Sequence, residues 1–214
     1  MPSIASAGIF WPMSMNGPKK KHKPIVMKTL SQAIADFNPV TATEDSIKDQ
    51  FRSIAEAVFN SGYFLVNGVR RIYPTDIEFY LYSEYDTKEE WRRDFNMYHK
   101  GADVPYFPKE GSVYPHRSGV DYTFESPDKH YRASFLIRAY EVLPDGRKED
   151  HPTYLWEDMF GECRCDGNGL NVIWKDEQHP QTWGTTATIR HNLNKRNGKR
   201  DTNEWRFKRV AKSK

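Results

Sequence analysis

The run Asp76-Ile77-Glu78-Phe79-Tyr80-Leu81-Tyr82 sets two carboxylates and two phenols at alternate positions, with apolar residues between them. Successive side chains of a strand point to opposite faces. Asp76, Glu78, Tyr80 and Tyr82 therefore share one face, and Ile77, Phe79 and Leu81 the other. The polar row either faces solvent or lines a cleft. In a cleft, a carboxylate beside phenol rings is equipped for general-base chemistry next to a stacking surface. His116 and Arg117, between Pro115 and Gly119, form either a surface pair or a functional loop tip. Cys163 and Cys165 are the only cysteines, and His151 is the one histidine near them. That set falls short of four zinc ligands, so no metal is expected. No cofactor is expected either: the chain has no Gly-x-Gly-x-x-Gly and no Walker loop. It also lacks the His-x-Glu and Pro-Cys-x-x-Cys pair of zinc deaminases.

The elements that must hold these residues can be read from periodicity and turn chemistry. Ile47, Phe51, Ile54 and Val58 form one apolar stripe, which predicts a helix from Glu44 to Asn60 with a capping box at Thr41 and Glu44. Gly62 stands where a helix-ending glycine belongs. Strands are predicted at Tyr63–Val66 and Ile72–Tyr82, with Asn67-Gly68 as a turn. Thr87 and Glu90 predict the cap of a helix of about a dozen residues carrying Trp91, Phe95 and Tyr98. Residues 101–119 read as irregular. Gly119–Glu125 and Tyr131–Val142 read as strands, 144–170 as loop with one helical turn, and Leu170–Trp174 and Thr185–Arg190 as short strands. Trp205–Val210 reads as the last strand. This order predicts a single α+β domain around a curved, mostly antiparallel sheet with flanking helices.

Of 214 residues, 37% are hydrophobic, 29% charged and 14% aromatic. The aromatic content argues against a disordered chain, and no apolar run is long enough to span a bilayer. Two cysteines exclude a disulfide framework, which predicts a cytoplasmic, intracellular protein. The net charge of +3 is unevenly spread. Residues 1–30 hold five lysines and no acid, and residues 190–214 hold ten basic residues and two acids, while the rest of the chain is acidic. Residues 1–26 read as a disordered basic leader ahead of a domain at 27–214, with Met1 and Met27 both open as starts. Two basic ends, with Trp205 and Phe207 interleaved in the second, favour a polyanionic partner over mere solvation.

The Asp76-Ile77-Glu78-Phe79-Tyr80 strand resembles the Glu-x-Glu-Ala-Tyr strand of alkyladenine (3-methyladenine) DNA glycosylases. Phe135-Leu136-Ile137-Arg138-Ala139-Tyr140-Glu141-Val142 is similar to that family's later Arg-Ala-Leu-Glu strand. Trp205-Arg206-Phe207 is similar to its last one. The three motifs fall in the family order and span roughly residues 43–210. The resemblance implies that Glu78 activates water, that Arg138 lies beside that water and orients the carboxylate, and that Asp76, Tyr80 and Tyr82 form the base pocket. It further implies that a residue of the hairpin before the second motif wedges into DNA, with Tyr114, His116, Arg117 and Tyr122 as candidates. Arg190, Lys195, Arg196, Lys199 and Arg200 would form a DNA-facing loop. The family's second pocket residue, a His, is replaced by Glu89, and no His follows before His99. The family's Thr-x-Arg-Asn segment is not recognisable in 101–118.

The implied reaction is flipping of a modified base from double-stranded DNA and hydrolysis of its N-glycosidic bond, leaving an abasic site. No lysine lies inside the motifs, so a monofunctional reaction is expected, and a monomer is expected to carry it out. The altered pocket positions suggest a different base from the family's, and one form of the expectation is a phage-defence enzyme acting on hypermodified bases. The alternatives are a non-catalytic nucleic-acid-binding module on the same fold, and a protein-binding domain whose basic ends only solubilise it.

Overall fold

A computed structural model describes residues 27–84, 89–100, 104–107, 111–161, 171–191, 193–195 and 198–212. The basic leader 1–26, Thr87, both cysteines and Arg196 lie outside the described residues.

A short helix, α1 (Leu30–Ala35), leads to the main helix, α2 (Glu44–Asn60). The apolar stripe is buried as its spacing requires, with Ile47, Phe51 and Ile54 removed from solvent. The cap is made by Thr43 rather than Thr41. Its hydroxyl accepts from the Ser46 amide at 3.2 Å, and Ser46 Oγ accepts from the Thr43 amide at 2.8 Å. Thr43 sits one residue before the first helical turn, where its side chain reaches the third amide. Gly62 is needed for close packing and not for a left-handed turn: a Cβ there would lie 2.3 Å from the Lys175 carbonyl oxygen.

Among the described residues, the sheet is built from nine antiparallel strands. They are β1 (Gly62–Val66), β2 (Arg70–Ser83), β3 (Ser112–His116), β4 (Gly119–Thr123) and β5 (Tyr131–Leu143). The others are β6 (Arg147–Glu149), β7 (Val172–Asp176), β8 (Trp183–Thr188) and β9 (Arg206–Ala211). The order is β3-β4-β5-β2-β1-β7, with β6 on β5 and the β8–β9 pair on β2. The result is one α+β domain with a curled antiparallel half-barrel sheet. Asn67 and Gly68 both have positive φ, 50° and 73°, as the two central positions of a tight hairpin turn require.

Strand β2 is central. One side pairs with β5 along its length, and the other is shared by β1 and then β9. On the α2 side of the sheet, Phe51 stacks on Phe79 at 4.5 Å, with Trp205, Phe124, Phe135 and Phe207 around them. A third helix, α3 (Tyr154–Phe160), packs near β4.

Further expectations fail. The helix after Thr87 is only a 3₁₀ turn at Glu90–Arg92. Tertiary bonds take over this stretch: Asp94 donates its amide to Leu81 O at 2.9 Å and accepts the Asn96 amide on Oδ1 at 2.9 Å, an arrangement that competes with helix. Within 101–119, Ser112–His116 is an edge strand and not irregular chain. Gly119, at φ 138°, closes its hairpin with β4. Pro115 is tolerated because β3 has no further strand beyond it among the described residues.

Candidate functional site

The second sheet face is polar but not solvated. Cross-strand neighbours place Tyr114, Asp121, Leu136, Glu78, Arg206 and Thr188 in one row across β3, β4, β5, β2, β9 and β8. The adjacent row runs Ser112, Thr123, Ser134 and Tyr80. Asp76, Glu78, Asp121, Thr123 and Ser134 are all buried. The strand alternation in Asp76–Tyr82 is therefore real, but its polar face is covered by Met97 and Leu193 over Tyr80, by the His191 amide on Glu78, and by Arg190 with Asp94.

Glu78 is 0% exposed. Its Oε1 accepts from the Tyr80 hydroxyl at 2.5 Å and its Oε2 from the His191 main-chain amide at 2.9 Å. No cation bonds to it among the described residues. Burial first, and then the Glu78 charge, push the Tyr80 phenol well above its ordinary value, so Tyr80 remains the donor of this bond. A carboxylate this far from water costs several kcal/mol unless its partners compensate.

Asp76 is not free to line a pocket. Arg206 grips it through Nε at 2.9 Å and Nη2 at 2.6 Å, and Lys208 Nζ lies 3.6 Å away. Arg138 sits at a register shift where Asp76 pairs Ala139 and Ile77 pairs Ile137, which leaves it the extra residue of β5. It is half-buried, and its Nε is buried without a hydrogen-bond partner. The expected orienting bond from Arg138 to Glu78 is not formed.

Tyr122 is a core residue, stacked on Phe135 at 5.4 Å and buried, and its burial pushes its phenol up to about 12. Tyr114 and His116 point to the polar face, while Arg117 is exposed at the hairpin tip. His116 Nε2 lies 3.0 Å from Asp121 Oδ1, its Nδ1 accepts from the Ser118 amide at 3.2 Å, and Ser134 donates to Asp121 Oδ2 at 3.0 Å. With Nδ1 accepting, the neutral ring carries its proton on Nε2, toward the carboxylate. The Tyr98 ring stacks on His116 at 4.1 Å.

The expected DNA-facing loop divides. Lys199 and Arg200 are exposed and Lys195 is half-buried. Arg190 is buried and lies inside the protein, where Asp94 and Asp201 flank its guanidinium. Burial alone would lower its pKa, but the two carboxylates more than offset this and raise it.

Tyr82 is the one expected pocket residue that opens to a described cleft. The cleft holds about 370 Å³ between the 89–100 and 190–203 stretches, and Trp91, Phe95, Lys100 and Lys195 also line it. The Arg93 guanidinium covers the Tyr82 ring at 5.4 Å. Burial lowers the Lys100 pKa. Glu78 does not line this cleft.

Sequence reasoning missed Asp121, Ser134, Glu125 and the Asp94–Arg190–Asp201 cluster. A signal for part of this was present: Asp121, Thr123 and Glu125 alternate with Val120, Tyr122 and Phe124. His99 and Glu125 are both fully buried with Nε2 and Oε1 2.8 Å apart, outside hydrogen-bonding geometry. Arg132 ties Val104 and Pro105 to the sheet, donating to their carbonyls at 2.6 and 3.3 Å and to Glu84 at 2.9 Å.

Fold and site together define an α+β protein that keeps one sheet face polar, buried and hydrogen-bonded. No known family model matches the chain, and no curated protein matches it. No described helix is long and apolar enough to cross a membrane.

Proposed function

We propose that the chain is a monofunctional DNA glycosylase in which Glu78 is the general base. The observation that supports this best is a fully buried carboxylate in the middle of the central strand, whose described hydrogen-bond donors are both neutral, while the nearby Arg206 guanidinium is bonded to Asp76 and acts on it only through space. A carboxyl group kept only for stability would be cheaper as an apolar residue. In the reaction, Glu78 takes a proton from water, the water oxygen bonds to C1′ of the sugar, and the C1′–N bond breaks with its electron pair leaving on the base. The sugar passes through an oxocarbenium-like state that a nearby carboxylate stabilises. Lys199, Arg200 and the exposed Arg117 would supply phosphate contacts without sequence preference.

One observation favours a second reading, a non-catalytic nucleic-acid-binding module: Glu78 has no exposure, so a base reaches it only if part of its cover moves. The two readings separate on a panel of alkylated, deaminated and hypermodified phage-type duplexes assayed for abasic sites. The glycosylase reading expects abasic sites on at least one substrate, and a loss on the order of 100–10,000-fold in Glu78→Gln. Salt-dependent binding with no abasic sites on any duplex, or a Gln variant as active as the parent, sinks it. Reaction confined to the phage-type duplexes would assign a defence role.

A further inference from the structure

Arg190 makes more bonds than a surface-loop residue needs. Its Nε donates to Asp201 Oδ2 at 2.7 Å, Nη2 to the same oxygen, and Nη1 to Asp94 Oδ2. Nη1 also donates to the Phe79 carbonyl at 3.0 Å. The rings of Tyr80 and Trp205 lie 5.2 and 5.1 Å from the guanidinium. One side chain is thus bonded to the backbone next to Glu78 and to both stretches that cover it. The following residue, His191, donates its amide to Glu78 Oε2. Both ends of a two-residue unit, the Arg190 guanidinium and the His191 N–H, therefore terminate on the Glu78-Phe79 step of β2.

Resting on the glycosylase reading of Glu78, we propose that Arg190 is a positioning residue, clamped by Asp94 and Asp201 so that the His191 amide is fixed on the Glu78 carboxylate. Burying three charged groups is a poor route to stability, since apolar residues of similar volume do as well or better. It is a good route to fixing a geometry, because the planar guanidinium fork admits few orientations. The clamp does not place Arg190 on substrate; its effect runs through the donor that orients the base. Lysine cannot reproduce it, having no planar fork to span Asp94, Asp201 and the Phe79 carbonyl at once.

The deciding measurement is amide hydrogen exchange at His191 in the intact protein, Arg190→Lys and Asp201→Asn. Asp201→Asn is informative because Oδ2 accepts from Arg190 and Oδ1 from the Asn203 amide at 3.0 Å, so its NH₂ must face a donor. The expected result is exchange at His191 at least about tenfold faster while β5 amides keep their protection. Abasic-site turnover at saturating DNA should fall on the order of 100-fold, with KM and the salt dependence of binding unchanged. A folded variant with His191 still protected and full turnover overturns the proposal. So does a salt slope lowered by about one ion, which would make Arg190 a phosphate contact. If neither variant folds, the wild-type protein decides: the Arg190 Nε–H and the His191 N–H must open together, and exchange about tenfold faster at His191 overturns the coupling. If wild-type protein makes no abasic sites on any substrate, the glycosylase reading fails, while the exchange data still test whether the clamp holds the amide on Glu78.

Discussion

At the scale of single residues, Glu78 and Asp76 differ although they share a strand face. Asp76 has Arg206 and Lys208, whereas Glu78 has a phenol and an amide. Asp76→Asn breaks a largely buried ion pair and should destabilise by about 3–5 kcal/mol in urea melts. Tyr80→Phe removes the hydroxyl donor to Glu78 and should cost about 1.5–3 kcal/mol by the same measurement. A stability unchanged by Tyr80→Phe would mean that the bond is not made in solution. The shared face was legible, because a period of two is fixed by strand geometry. What covers it was not, because the cover comes from Asp94, Arg190 and Asp201. A basic residue in a basic run reads as solvated until its distant carboxylates are known. Arg190 was misread for that reason, whereas the alternation of Tyr122 with Asp121 and Thr123 already set it on the apolar face with Val120 and Phe124.

At the scale of elements, α2 was legible to its first and last residue, since its 4-3-4 stripe is local, but its cap was placed two residues early, at Thr41 instead of Thr43. Thr43→Ala should cost about 1 kcal/mol, measured as a shift in the unfolding midpoint. The helix expected after Thr87 failed because Asp94 is drawn to Leu81 and Arg190, and long-range bonds outweigh weak helix propensity. Strand β3 was missed because a proline at its fourth position argues against a strand unless the strand is at an edge. Gly119 holds that hairpin at φ 138°, with a Cβ there only 3.0 Å from Leu136 and Pro152. Gly119→Ala should therefore destabilise by about 1–3 kcal/mol, and an unchanged midpoint would contradict the strained turn.

At the scale of the whole molecule, many phenols are enclosed by the sheet. Burial raises Tyr122 and Tyr131 to about 12, against an ordinary value of 10.0. The unfolded chain loses these protons first. Their contribution to stability is therefore complete below about pH 10 and drains away as the pH climbs toward 12. Near-ultraviolet tyrosinate absorbance should rise late and together with loss of fold; early, independent titration of these phenols would refute their burial. The α+β class was legible from element order, but the sheet order was not, because β9 reaches β2 across most of the chain. That closure has a temporal side. The His191 amide lies 113 residues beyond Glu78. At synthesis rates of about 5–20 residues per second, a ribosome needs about 5–25 s to reach it after making the glutamate. Through that interval the growing chain carries a carboxylate and a strand edge meant for partners not yet made, and this is the window in which a chaperone would have most to protect.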